Sequence, residues 1–228
     1  MLREQSNGHG EQGLMSAHLN VVVLGGGTSG WMCGAALASI LKAGQPESPI
    51  TLRLIESSEI GTVGVGEATL PHIKAFNDKI GIDEADFMRK TAATFKLGIR
   101  FVDWGHHGSD YIHPFGAYGD NESISTFHHY WTRARLAGKP ASLEAYSYAI
   151  AASRADKFEF PSEDFASIKS TYSYAYHFDA SLYAAYLREF AEARGLERIE
   201  GKVVDVRTDL LKRRHPRRDF GQRRKCRG

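Results

Sequence analysis

An α/β fold built on a parallel sheet is predicted by three observations taken together. A short β-branched run, Asn20-Val-Val-Val-Leu24, leads straight into a glycine-rich turn, Gly25-Gly-Gly-Thr-Ser-Gly30. The apolar, Ala-rich stretch from Trp31 to Lys42 then reads as a helix, ended by Pro46 and Pro49. A second run, Ile50-Thr-Leu-Arg-Leu-Ile55, closes on Glu56. Apolar runs of this length suit strands buried on both faces of a parallel sheet, and strand, helix and strand in that order make a βαβ unit.

The turn carries chemistry because of where it sits. Gly25-x-Gly27-x-x-Gly30 follows a predicted strand and opens a predicted helix, the context in which this pattern marks a dinucleotide-binding, Rossmann-type fold. Gly25 allows the tight turn, Gly27 lets the backbone approach a pyrophosphate, and Gly30 lets helix and strand pack closely. Helix N-terminal amides then face the phosphates, and Thr28 and Ser29 of the turn join the cofactor-binding set. Glu56 stands where an acid accepts a hydrogen bond from a ribose hydroxyl. The fold alone does not choose between nicotinamide and flavin chemistry.

Further along, Ser57–Thr69 reads as a Gly-punctuated loop, and Pro71 opens a helix at an early position. Asp83 caps a second helix through Arg89. Residues 95–102 alternate with a strand period, Phe95, Leu97, Ile99 and Phe101 on one face and Lys96 and Arg100 on the other. The aromatic, loop-rich stretch from Gly105 to Pro161 yields no clear elements. Tyr172, Tyr174, Tyr176 and Phe178 alternate as another strand. Asp179 or Ser181 caps a helix whose Leu182, Tyr183, Tyr186, Leu187, Phe190 and Ala191 form one apolar stripe. Val203–Val206 begins a last strand.

Composition narrows the field. The 228 residues carry 29 Lys+Arg against 27 Asp+Glu, with 2 Cys, enough for one ordinary domain or two small ones. That charge is unevenly spread: Arg207–Gly228 holds ten bases and two acids, leaving nineteen bases and twenty-five acids before it. The tail has no apolar period and no interleaved aromatics, so a nucleic-acid arm is the lesser reading of it. No apolar run is long enough for a membrane span, and the polar N-terminus has no signal core. Cys33 and Cys226 make neither a metal spacing nor a disulfide framework, which suits a reducing cytoplasm. The adjacent histidines at 106–107 and 128–129 do not share a face, so no metal site is expected. Residues 1–17 read as a disordered leader, 18–206 as the folded unit and 207–228 as a basic unstructured tail.

Four segments sharpen the reading: Gly25-Gly-Gly-Thr-Ser-Gly-Trp-Met32, Gly64-Val-Gly-Glu-Ala-Thr69, Phe95-Lys-Leu-Gly-Ile-Arg-Phe101 leading to Trp104, and His177-Phe-Asp-Ala180. In order and spacing, from about Asn20 to Val206, the chain resembles the flavin-dependent tryptophan halogenases. The resemblance implies a Rossmann-type FAD-binding domain of the flavin monooxygenase kind, with an inserted substrate-side segment and incomplete at its C-terminus. It implies FAD, supplied reduced by a separate flavin reductase, together with oxygen, halide and an indole-like substrate. No membrane partner is implied, and a homodimer is left open.

By the same resemblance, hypohalous acid travels through the protein to a lysine, which here matches Lys96. The chemistry needs an amine that can hydrogen-bond the oxidant or become a haloamine, and partial burial makes its neutral form accessible. A lysine on a strand's polar face is otherwise more often simply solvated. The loop over the flavin corresponds to Ser57–Ala68, with Gly66, Glu67 and Ala68 at its end, and Val203 falls where a strand backbone helps hold the flavin. His113 and Phe115 match a His-x-Phe pair at the indole ring. The resemblance stops abruptly after Val206. The family's Trp-x-Trp-x-Ile-Pro signature, the glutamate that pairs with the lysine and the halide-binding segment have no counterpart here. The change of composition reads as an altered frame or early termination, so activity of the chain alone does not follow. A generic FAD-dependent monooxygenase, or a non-enzymatic fragment with a nucleic-acid-binding tail, are the rival readings.

Overall fold

The computed structural model describes residues 18–59, 65–119, 125–139 and 141–206. The leader at 1–17 and the tail at 207–228 lie outside the described residues. Strand β1 (Leu19–Leu24), helix α1 (Thr28–Leu41) and strand β2 (Ile50–Glu56) form the expected βαβ unit, with β1 and β2 parallel from Leu19 opposite Ile50 to Leu24 opposite Ile55. The helix starts three residues earlier than the apolar run suggested, so its first free amides belong to the glycine turn itself.

Strand β8 (Leu196–Glu200) adds to β2 in parallel and completes the first sheet in the order β1-β2-β8. This corrects the expected strand at Val203–Val206, which joins no sheet among the described residues and is exposed chain. The pairing segment is Leu-Glu-Arg-Ile-Glu, whose charges obscured it: only one of its faces is covered.

A second sheet has the order β3-β7-β4, made of Gly66–Ala68, Ala175–Asp179 and Thr94–Lys96, all antiparallel. Gly66–Ala68 was expected to be loop. Nor is 95–102 one strand: it divides at Leu97 between β4 and β5 (Gly98–Val102), and β5 pairs instead with β6 (Asp110–Pro114) in a third sheet. The hand-over is backbone-driven. The Phe115 N–H donates to the Leu97 carbonyl at 2.8 Å. A β-carbon at Gly98 would lie 2.6 Å from the His113 carbonyl oxygen, so only glycine lets the strands approach there.

Helices α2 (His72–Ile80) and α3 (Glu84–Thr91) lie where expected, and the Asp83 carboxylate accepts from the Asp86 amide as an N-cap. In the stretch that sequence left unplaced, helices α4 (Phe127–Leu136) and α5 (Tyr148–Arg154) follow β6. Helix α6 (Ala180–Glu192) is capped by Asp179, not Ser181, through bonds from the amides of Ser181 and Leu182. Its buried stripe runs through Tyr183, Tyr186, Leu187 and Ala191, whereas Leu182 points away and is exposed, a correction to the expected stripe. Phe87 of α3 fills the centre between α6 and β7, meeting Tyr176, Phe178 and Tyr183 edge-on at ring-centre distances of 5.0, 5.6 and 5.4 Å. No helix among the described residues is long and apolar enough to cross a membrane.

Candidate functional site

Two clefts carry the sequence-predicted residues, one on each sheet. The first has a volume of about 920 Å³ and lies beyond the C-terminal ends of β1 and β2. Gly25, Gly27, Thr28, Ser29, Glu56, Glu67 and Val203 all line it. Gly25 takes φ +101°, a left-handed turn that a side chain resists. A β-carbon on Gly30 would lie 1.9 Å from the Gly25 carbonyl oxygen, so Gly30 is the close-packing glycine. One on Gly27 would meet nothing within 4 Å. The middle glycine therefore faces open cleft and not protein, as a backbone reserved for a ligand's approach should.

Two further members of this cleft, Gly26 and Arg198, stand outside the glycine pattern. A β-carbon on Gly26 would collide with the Glu56 carboxylate, so that glycine makes room for the acid. Arg198 of β8 forms an ion pair with Glu56 and a second with Glu200 at 2.5 Å. The other Glu56 oxygen accepts from the Trp31 indole N–H at 3.3 Å. Each carboxylate oxygen still has lone-pair capacity for a hydroxyl donor. The only advance signal for Arg198 was the alternation of β8.

The second cleft, about 370 Å³, is lined by Lys96, Gly98, Arg100, Ile112, Arg154 and His177 among others. Lys96 is only 7% exposed, against the expectation for a lysine on a strand's polar face. Its Nζ donates to the Thr69 carbonyl at 2.9 Å and sits 5.4 Å from the centre of the buried Phe115 ring. Among the described residues no carboxylate pairs with it. Burial lowers its pKa, because desolvation penalises the ammonium. Thr69 is itself pinned: its N–H and hydroxyl both donate to the Tyr176 carbonyl, at 3.0 and 2.8 Å. Arg100 is held by Asp110 through two bonds and Arg154 pairs with Glu144, so both guanidinium charges are already answered.

Phe115 thus joins Lys96, while His113 does not share its burial. His113 stands opposite Ile99 on β6 and is exposed. Gly66, Glu67 and Ala68, with Thr94, His177 and Asp179, border a shallower furrow of about 370 Å³. Among the described residues, no group of three or more His, Cys, Asp or Glu is placed to hold a metal ion.

A parallel βαβ unit with an open glycine turn, set beside an antiparallel sheet that buries a lysine, defines a Rossmann-type dinucleotide-binding chain with a second cleft of its own. The tryptophan halogenase family profile matches residues 20–213. The chain belongs to the tryptophan halogenase family. A tryptophan 6-halogenase from Streptomyces albogriseolus is 34% identical over 205 residues, 83% of this chain and 37% of the relative. Among solved structures, a flavin-dependent halogenase from a Brevundimonas species is 42% identical with a TM-score of 0.76, covering 86% of this chain and 38% of that one. Another, from Xanthomonas campestris, is 40% identical with a TM-score of 0.77 over the same shares. The chain thus spans under two fifths of the length of these relatives. The family match also runs past Val206 to residue 213, so the likeness does not stop where the sequence reading began the tail.

Proposed function

We propose that this chain is the flavin- and lysine-bearing part of a flavin-dependent halogenase acting on tryptophan or another indole-like aromatic. The observation that carries this reading is Lys96: a buried ammonium with one carbonyl acceptor, an aromatic ring beside it and no acid partner among the described residues. Such an amine is costly to bury unless its neutral form or a polar guest is used.

FAD fits the first cleft. The turn at Gly25, Gly27 and Gly30 with the amides of Thr28 and Ser29 would hold the pyrophosphate, and Glu56 the ribose. Gly66, Glu67, Ala68 and Val203 would border the rest. When bound in reduced form, FAD supplies the electrons that, with oxygen and halide, generate hypohalous acid. A separate flavin reductase is the source of those electrons in this reading. Lys96 then donates a hydrogen bond to the acid's oxygen, or as a free amine takes the halogen and releases water. Phe115 offers an aromatic face to the indole, and His113 a hydrogen-bond partner for its N–H. A reducing cytoplasm remains the expected location.

The test pairs FAD titration, followed by flavin fluorescence, with a halogenation assay supplied with a reductase, oxygen and halide. Lys96→Ala is expected to keep FAD affinity and lose halogenated product. Halogenation retained without Lys96 overturns its role. A well-folded chain that binds no FAD, or a halide-independent hydroxylated product, overturns the reading as a whole.

A further inference from the structure

His177 opens one of the four segments that carry the family resemblance, yet the proposed function gives it no task. Its position in the register argues for one. Strand β7 is the middle strand of the second sheet, and on one face it presents Ala175, His177 and Asp179. Thr94 of β4 and Ala68 of β3 both stand opposite His177, while Lys96 stands opposite Ala175. Lys96 and His177 are therefore diagonal neighbours on one face, a separation of about 7–8 Å that long and aromatic side chains bridge.

The lysine also travels toward the histidine's side of the sheet. Its Nζ reaches the Thr69 carbonyl beyond β3, so the side chain crosses the middle strand over Ala175, which is fully buried and small enough to permit it. That path runs beside His177. The imidazole in turn borders both the Lys96 cleft and the furrow of Gly66, Ala68 and Thr94, and Glu67 borders both that furrow and the glycine cleft. His177 thus stands between the dinucleotide side and the lysine.

We propose that His177 receives the halogen from hypohalous acid and passes it to Lys96, a relay that rests on the halogenase reading above. In the first step an unprotonated ring nitrogen attacks the halogen. The N–X bond forms as the X–O bond breaks, and the hydroxide leaves as water with the ring proton. In the second step the lone pair of the neutral Lys96 amine takes the halogen as X⁺. The imidazole departs with the bonding pair and recovers a proton from the amine. The halogen keeps its oxidation level throughout, so no oxidant beyond hypohalous acid is consumed.

The surroundings favour the required protonation state. Partial desolvation of the otherwise exposed His177, and then the Lys96 charge, lower its pKa and so favour the neutral, nucleophilic ring. The charged groups bordering it are Lys96, Arg100 and Arg154 on the lysine side and Glu67 and Asp179 along the furrow.

The experiment treats the full 228-residue chain with hypobromous acid, in excess over its thiols and thioethers, and maps by mass spectrometry the nitrile and aldehyde products left by lysine haloamines. Lys96 is expected to be modified several-fold more than the solvent-facing Lys79. In both His177→Ala and His177→Gln that preference should vanish, and free imidazole should restore it to the alanine variant. A glutamine that preserves the preference overturns the relay, since an amide can hydrogen-bond the oxidant but does not carry the halogen this way. An unchanged preference in the alanine variant overturns it equally. Equal modification of Lys96 and Lys79 in the unmutated chain instead counts against the role proposed for Lys96, a separate failure.

Discussion

The glycine cleft and the lysine cleft are built by opposite means. Around the glycine turn the work is done by backbone: open amides, a left-handed Gly25 and an absent β-carbon at Gly27. The sheet behind it is thinly covered, with Leu19, Val22 and Leu24 of β1 all about half exposed, although parallel strands are ordinarily buried on both faces. Lys96 is instead backed by side chains: the face of its sheet turned away from it, which carries Phe95, Tyr176 and Phe178, is tightly packed. Phe87, Tyr176 and Tyr183 are essentially inaccessible. The Tyr174 and Tyr176 hydroxyls both donate to one Glu84 oxygen, at 2.8 and 2.6 Å. A ligand site made of backbone tolerates a sparse setting; a lysine held out of water needs a rigid, filled one.

Phe87→Ala should give the largest effect. Removing a fully buried ring that meets several aromatic neighbours costs about 3–5 kcal/mol, read from chemical denaturation. A loss under about 1 kcal/mol would contradict the contrast between a thinly covered sheet and a filled one.

The roles of the middle and last glycines can be separated next. Gly30→Ala forces its new carbon into the Gly25 carbonyl and should lower the melting temperature, whereas Gly27→Ala enters open space and should not. The second variant should nevertheless weaken FAD binding. Unchanged FAD affinity in Gly27→Ala would remove the phosphate-cradle role of that glycine.

The smallest effect is electrostatic. Because folding lowers the His177 pKa, the unfolded chain binds this proton more readily, so stability falls as pH drops through the ordinary histidine range near 6.5. His177→Gln should flatten that fall in urea midpoints measured from about pH 7 to pH 5. An identical pH profile would mean that folding neither desolvates the ring nor holds it near the Lys96 charge.

Much of the glycine cleft was legible because it depends on local order. A β-branched run, three spaced glycines and an acid at the end of the next strand lie within some forty residues and act through the backbone. The cap at Asp83 was legible for the same reason, and that of α6 was narrowed to Asp179 or Ser181, since a capping side chain reaches amides two or three residues away. Strand β8 was missed because its charged residues hide a one-sided pattern, and Arg198 went with it. The break at Leu97 was missed because periodicity does not reveal which neighbour a strand pairs with.

By itself the sequence determined the βαβ unit, the glycine turn, the helix caps and the family. Each is either a short-range consequence of residue type or a pattern specific enough to stand without partners. Only the tertiary structure decided that Lys96 is buried, that it crosses Ala175 to Thr69, and that His177 lies beside it. Burial and side-chain company are set by which strands meet, and residues 69, 96, 115 and 177 are brought together by pairing across long stretches of chain whose register no local rule specifies.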